Sequence, residues 1–179
     1  MNYYQKYLKY KKKYLINKYL WTGELTADDL DRLTRLRGGS LKCKNNISNV
    51  SVVIINKSNN NQILLLRDKK NKDWMTPGGG VKNEDLQNTN HPCWKALLRE
   101  YFEETGNSLP NLTNIKSFDY HDHTRIYIGI ANPSEIKFKN TNETDAYMWI
   151  ALDDLKNNKF PIKNYVKKSI ELLISNKLL

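Results

Sequence analysis

Residues 77–106 read PGGGVKNEDLQNTNHPCWKALLREYFEETG, and the fold is decided there. The closing run, Arg99-Glu100-Tyr101-Phe102-Glu103-Glu104-Thr105-Gly106, predicts a helix. With successive residues about 100° apart, Glu100, Glu103 and Glu104 share one face. Trp94, Leu97, Leu98, Tyr101 and Phe102 fall on nearly the opposite one, so one side should pack on a core and the other form an acidic cluster. Like charges at this spacing destabilise one another, which makes the cluster costly unless a cation offsets it. Hard divalent cations such as Mg²⁺ take oxygen ligands of this kind and bridge them to substrate phosphates. Upstream, Trp74-Met75-Thr76-Pro77 leads into Gly78, Gly79 and Gly80, which read as a loop whose backbone reaches positive φ and comes close to a ligand. Glycine loop and acidic helix together describe a metal and phosphate site. A surface helix with a solvated acidic face would need the glycines, the Arg-Glu start, the Glu-Glu pair and the closing glycine to fall into register by accident.

These residues resemble the Nudix hydrolase signature, G-x5-E-x7-R-E-U-x-E-E-x-G-U, where U is a bulky apolar residue. The right half, REYFEETG, fits at every fixed position. The left half departs from it. Aligned on Gly79, the first acidic position falls on Asp85; aligned on Gly78, it falls on Glu84. Thirteen residues rather than seven separate Asp85 from Arg99, an insertion of six placed at Leu86–His91. That insertion lengthens the loop before the helix, where Asn90 or His91 suits the cap and Pro92 the first turn. Asn107 stands where the family carries an apolar residue.

Outward from this stretch, 179 residues suit one domain of ordinary size with additions. Val50–Ile55 is a β-branched run, Ser58-Asn59-Asn60-Asn61 a turn, and Gln62–Arg67 a second strand. Ile115–Tyr120, Thr124–Ile130 and Ala146–Leu152 read as further strands. Asp153-Asp154 opens a short helical turn, and Ile162–Lys177 carries Val166, Ile170, Leu173 and Ile174 at helical spacing. The pattern is α/β, and the resemblance implies a Nudix-type α/β/α sandwich with a mixed sheet over residues 46–179.

Residues 1–40 read as a basic helical leader. Residues 1–20 hold six lysines and no acid, with Tyr3, Tyr7, Tyr10 and Tyr14 at helical spacing; a second helix follows, with Thr26 at its cap and Gly38-Gly39 at its end. The leader suits RNA, with lysines on phosphates and tyrosines stacking, or a membrane surface, and equally an amphipathic helix docked on its own domain. Its composition is similar to leaders that begin many giant-virus proteins. The net charge of +10 implies attraction to polyanions. Two cysteines, Cys43 and Cys93, suggest no disulfide framework and a reducing compartment; no run spans a membrane and no signal peptide is visible. The expected location is intracellular, in the cytoplasm, or in the host cytoplasm or virion for a viral protein.

The resemblance implies Mg²⁺- or Mn²⁺-dependent hydrolysis of a phosphoanhydride in a nucleoside diphosphate linked to another group. Glu100, Glu103 and Glu104, with the carbonyl of Gly78, are the implied metal ligands, and Gly78, Gly79 and Gly80 the phosphate loop. One of these glutamates, or Glu143 from a later turn, is the implied proton acceptor, with Asp145 next in line. Arg99 pairs with Glu103 one turn on and orients it. His121 and His123, either side of Asp122, offer too few ligands for a metal. Capped RNA is the leading substrate, making the activity mRNA decapping. Free nucleotides, nucleotide sugars or diphosphoinositol polyphosphates form the second enzymatic reading, and a catalytically inactive RNA-binding module the third. Every carboxylate of the signature helix is present, which favours an enzyme.

Overall fold

The computed structural model describes residues 46–175 apart from 59–60, 88–90, 122 and 157–160. The leader expected over residues 1–40, the turn residues Asn59 and Asn60, the cap residue Asn90 and Asp122 lie outside the described residues. In chain order the elements are β1 (Asn49–Asn56), β2 (Gln62–Asp68), β3 (Trp74–Met75), β4 (Gly78–Gly80), α1 (Pro92–Thr105), β5 (Thr113–Tyr120), β6 (Thr124–Ile130), a 3-10 turn at Pro133–Glu135, β7 (Thr144–Ala151), α2 (Leu152–Lys156) and α3 (Asn164–Ser175).

All seven strands join one mixed sheet. β1 and β6 run parallel, and the other pairs are antiparallel. Because side chains alternate across a strand, β1 feeds two cores. Val50, Val52 and Ile54, with Leu64 of β2, pack under Trp94, Leu97 and Tyr101 of α1. Val53 and Ile55, with Ile63 and Leu65, pack against Ile162 and against Val166 and Ile170 of α3. A strand covered on both faces reads as a continuous β-branched run, and this one does. Helices on both sides make the α/β/α sandwich.

β6 pairs along one edge of β1 from Asn49 to Ile55, so β2 and β4 must share the other edge. β2 takes its C-terminal end, at Ile55 and Asn56, and β4 its N-terminal end, at Asn49 to Ser51. The sheet therefore forks between β4 and β2.

Three expectations need correction. Gly78–Gly80 is not a loop but strand β4; glycine is a poor strand former, and here backbone pairing with β1 overrides that preference. Leu98 and Phe102 are 40% and 57% exposed, whereas Glu100 and Glu104 are buried, so α1 is rotated to lay two of its glutamates, rather than its last apolar residues, against the sheet. Cys93, fully buried in the first turn of α1, is disulfide-bonded rather than a free thiol. At the same helix end His91 is the N-cap residue, but its side chain makes no cap hydrogen bond.

Candidate active site

The rotation of α1 follows from the glycines of β4. A Cβ on Gly79 would collide with the carboxylate of Glu100, and one on Gly78, at φ 146°, would run into the backbone of Val50. Only glycine lets the strand lie this close to both neighbours. The register turns the polar groups of Gly78 and Gly80 away from β1. The Gly78 N–H donates to Glu104 Oε2 at 2.9 Å, and the Gly80 carbonyl accepts from Arg99 Nη2 at 2.7 Å. On its other side Glu104 is tied by its carbonyl, which accepts from the hydroxyl of Thr144 at the start of β7. The C-terminal turn of α1 thus plugs the fork, with Gly106 closing the helix at φ 65°.

Arg99 organises the carboxylates around it. Its Nη2 and Nε bind Asp85, at 2.7 Å and 3.2 Å, and its Nη1 donates to Glu100 Oε1 at 2.6 Å and Glu103 Oε2 at 3.0 Å. Of the two candidates for the first acidic position, Asp85 is 1% exposed and also accepts from the Lys82 N–H, whereas Glu84 is open to solvent with its carboxylate 3.7 Å from Arg99. Burial opposes the charge on Asp85, but Arg99 and the Lys82 N–H outweigh it and hold the carboxyl below its usual range.

A second acidic group arrives from far along the chain. The turn Asn140–Glu143, with Lys69 and Glu103, lines an open cleft of about 530 Å³. Thr141 and Thr144 fix it: both hydroxyls reach the Glu104 carbonyl, and the Glu143 N–H donates to the Thr141 hydroxyl at 3.1 Å. Burial, then Glu100 and Glu103, push the Glu143 carboxyl up, placing it in the same electrostatic neighbourhood as the helix glutamates. Glu104, 2% exposed, is driven well above the carboxylate range by burial, eased by the Gly78 N–H and worsened by Glu100 and Glu143. Asp145 goes elsewhere. A register shift between Arg67 and Asp68 in the β2–β7 ladder sets it apart from Thr144, and it binds Arg67 at 2.7 Å and Lys72 at 2.6 Å, which hold its carboxyl at about 2.

Lysines and threonines were the residues the sequence left unmarked. Lys82 reaches Glu103 at 3.3 Å, and Thr141 and Thr144 anchor the turn; a lysine two positions past a glycine run carries no signal of its own. His121 and His123 stack with ring centroids 6.3 Å apart, in the turn between β5 and β6.

Among the described residues no three His, Cys, Asp or Glu side chains stand together at metal-ligand spacing, since Arg99 and Lys82 hold Glu100 and Glu103 as ion pairs. The donor chemistry nevertheless fits a hard divalent cation: Glu100 and Glu103 share the Arg99 guanidinium, Glu103 and Glu143 line one cleft, and Glu104 and Glu143 are raised by burial first and by neighbouring glutamates after it.

The sequence profile described as NUDIX domain matches residues 46–173. No curated protein matches the chain in sequence. Among solved structures, a MutT protein from Methanosarcina mazei Go1 superposes with TM-score 0.51 at 22% identity, over 73% of this chain and 94% of that one. A bifunctional NMN adenylyltransferase/ADP ribose pyrophosphatase from Francisella tularensis, complexed with AMP and Mn ion, gives 0.51 at 22%, over 93% of this chain and 47% of that one. The NUDIX domain of Shewanella oneidensis NrtR, complexed with ADP ribose, gives 0.51 at 17%, over 76% and 91%. At such identities the likeness is one of fold.

Proposed function

The chain belongs to the NUDIX family, and from that premise we propose that it is a divalent-metal-dependent pyrophosphohydrolase acting on a nucleoside diphosphate linked to another group. The observation that carries this reading is the cleft lined by both Glu103 and Glu143, with Glu100 beside Glu103 on the Arg99 guanidinium and the buried Glu104 on the Gly78 N–H; burial first, then neighbouring glutamates, raise Glu104 and Glu143. Glu100, Glu103 and Glu104, with the Gly78 carbonyl, would hold the metal, Mg²⁺ or Mn²⁺. When bound, it neutralises the diphosphate and lowers the pKa of the attacking water. The remaining work belongs to the chain. Water adds to one phosphorus, the bridging P–O bond breaks, and the water's proton passes to a carboxylate. Glu143 is suited to take it, since its pKa is raised toward the working pH. Arg99 is a positioning residue, holding Glu100 and Glu103 against Asp85, which fills the first acidic position of the motif in this reading.

For the substrate we favour capped RNA, supported by the charge of +10 and by a lysine-rich leader able to neutralise several phosphates. Free nucleotides and nucleotide sugars are the second reading, which the ADP ribose in the NrtR neighbour favours. The test is a panel of capped RNA, free cap dinucleotide, nucleoside triphosphates, ADP-ribose and inositol pyrophosphate, each with Mg²⁺ and with Mn²⁺. Turnover of capped RNA above all others is expected, and deletion of residues 1–40 should cost it far more than it costs the cap dinucleotide. Turnover confined to ADP-ribose would move the assignment to the second reading, and none on any substrate would sink the enzyme.

A further inference from the structure

The cleft holds a cation that the chemistry above does not spend. Lys69 is the first residue after β2 and extends the β2–β7 ladder by one step, its N–H donating to the Glu143 carbonyl at 2.8 Å. It lines the cleft with Glu103 and Glu143, yet its ammonium binds neither carboxylate. The ammonium donates instead to the Thr141 carbonyl at 3.0 Å, and among the described residues it has no ion pair.

The cations nearby are engaged. Arg67 and Lys72 bind Asp145, Lys163 binds Asp68, and Arg99 and Lys82 hold Glu103. An ammonium has three N–H donors, so Lys69 keeps two of them and an uncompensated positive charge on the cleft wall. Bracing the turn at Asn140–Glu143 does not require that charge. Thr141 and Thr144 already fasten the turn to the Glu104 carbonyl, and the Lys69 backbone adds its own bond to Glu143. Asn140 and Asn142 line the same cleft, and each carboxamide brings two further N–H donors.

We propose that Lys69, with Asn140 and Asn142 beside it, binds a phosphate beyond the diphosphate that is cut, so that the site prefers substrates bridged by three or more phosphates. This rests on the pyrophosphohydrolase reading and deepens it by naming the substrate class. The diphosphate that is cut belongs with the metal ligands. The next phosphate along brings negative charge into a cleft that Glu103 and Glu143 also line, so it needs a cation supplied by the chain itself. Lysine serves phosphate in that way, as a point charge. Nucleoside triphosphates and the triphosphate-bridged cap are thereby placed ahead of ADP-ribose, which has two phosphates.

The experiment measures equilibrium binding of inorganic tripolyphosphate and of pyrophosphate, which differ by one phosphate, to the full chain in Mg²⁺. Wild type should bind tripolyphosphate about 5- to 12-fold more tightly, the range from an exposed ion pair to a charge-assisted hydrogen bond. That preference should shrink as salt is raised. Lys69→Gln should abolish it, and Lys69→Arg, which keeps the charge, should retain it. The readout is a ratio of two probes on one protein, so a general loss of folded protein moves both alike. Equal weakening of both probes by Lys69→Gln would show that Lys69 only braces the wall and would overturn the proposal. A preference absent from wild type, retained in Lys69→Gln or lost in Lys69→Arg would overturn it as well. Failure of the parent reading looks different, since wild type would then hydrolyse no diphosphate-containing substrate, whatever its preference between the two probes.

Discussion

At the same end of the sheet, the face under α1 and the face under α3 treat their carboxylates in opposite ways. On the α3 side Asp68 receives backbone N–H groups of Asn71 and Lys70 and the ammonium of Lys163 at 2.9 Å, while Asp145 receives Arg67 and Lys72. Both are held below the usual carboxylate range. On the α1 side Glu100, Glu103, Glu104 and Glu143 have Arg99 and Lys82 close by, with Lys163 acting only weakly on Glu104, and Glu104 and Glu143 are pushed up. The first arrangement is satisfied by the protein alone. The second leaves Glu104 and Glu143 raised, by burial first and by their neighbours after it, and perturbed groups of this kind cluster at functional sites.

The largest break in this contrast should come from the α1 side. Glu103→Gln and Glu104→Gln are each expected to abolish turnover on every substrate while near-ultraviolet circular dichroism stays that of the folded protein. Glutamine keeps the shape and, at Glu104, an acceptor for the Gly78 N–H. Activity near wild type in both variants would remove these residues from the metal site. Next in size is the pair formed by Glu143 and Asp145, two residues apart. Loss of a general base costs about 10²–10⁴-fold, so Glu143→Gln should fall in that range with metal binding retained, and Asp145→Asn should stay within about tenfold. Equal losses would mean that the electrostatic difference between the two faces has no catalytic meaning.

How much of this was legible depends on what each residue answers to. The strands and both long helices follow periodicity, and α1 carries the motif in contiguous residues, so the local signal sufficed there. β4 was missed because its pairing is made by backbone alone, and a triple glycine looks the same in a loop as in a strand wedged between Val50 and Glu100. The rotation of α1 was missed for the same reason: with Gly79 beneath it, Glu100 can lie where a helical wheel would put only apolar residues. Sequence ranked Glu143 ahead of Asp145 only by resemblance; the register shift in the β2–β7 ladder that sends Asp145 to Arg67 and Lys72 is not written in either residue. Glu84 and Asp85 differ in burial and in how closely Arg99, fifteen and fourteen positions on, binds them, at 2.7 Å for the buried Asp85 and 3.7 Å for the exposed Glu84, and neither is legible locally.

A smaller effect, on stability rather than rate, should sharpen the role of Arg99. Removing one member of a buried ion pair leaves the other uncompensated, at a cost of about 3–5 kcal/mol. Arg99→Met should approach the lower part of that range, about 3 kcal/mol by chemical denaturation, because Asp85 is 1% exposed. Arg99→Met combined with Asp85→Asn should recover part of the loss, since the two residues share one interaction. Full additivity of the two substitutions would mean that Asp85 is not what Arg99 stabilises.

The smallest effects are changes in melting temperature with pH, and the two faces should give opposite signs. Asp145 titrates at about 2 in the folded protein and at about 3.9 in an unfolded chain, so its contribution is fully present above about pH 4 and is lost as pH falls through the folded value. Its partners are open to solvent, Lys72 at 59% exposure, so the contribution is screened and small: Asp145→Asn should lower Tm by at most about 3 °C at pH 7, with the deficit shrinking below about pH 4. Glu104 has its folded pKa raised, so its charge costs stability at every pH above about 4.3, its value in an unfolded chain. In chelator, Glu104→Gln should therefore raise Tm at pH 7, and the gain should vanish as pH falls toward 4.3. Added Mg²⁺ should erase that gain by stabilising wild type alone, because only wild type keeps the full set of ligands. A Glu104→Gln variant that melts lower than wild type in chelator at pH 7 would show that the protein itself satisfies this carboxylate, and the contrast between the faces would fail at its most buried residue.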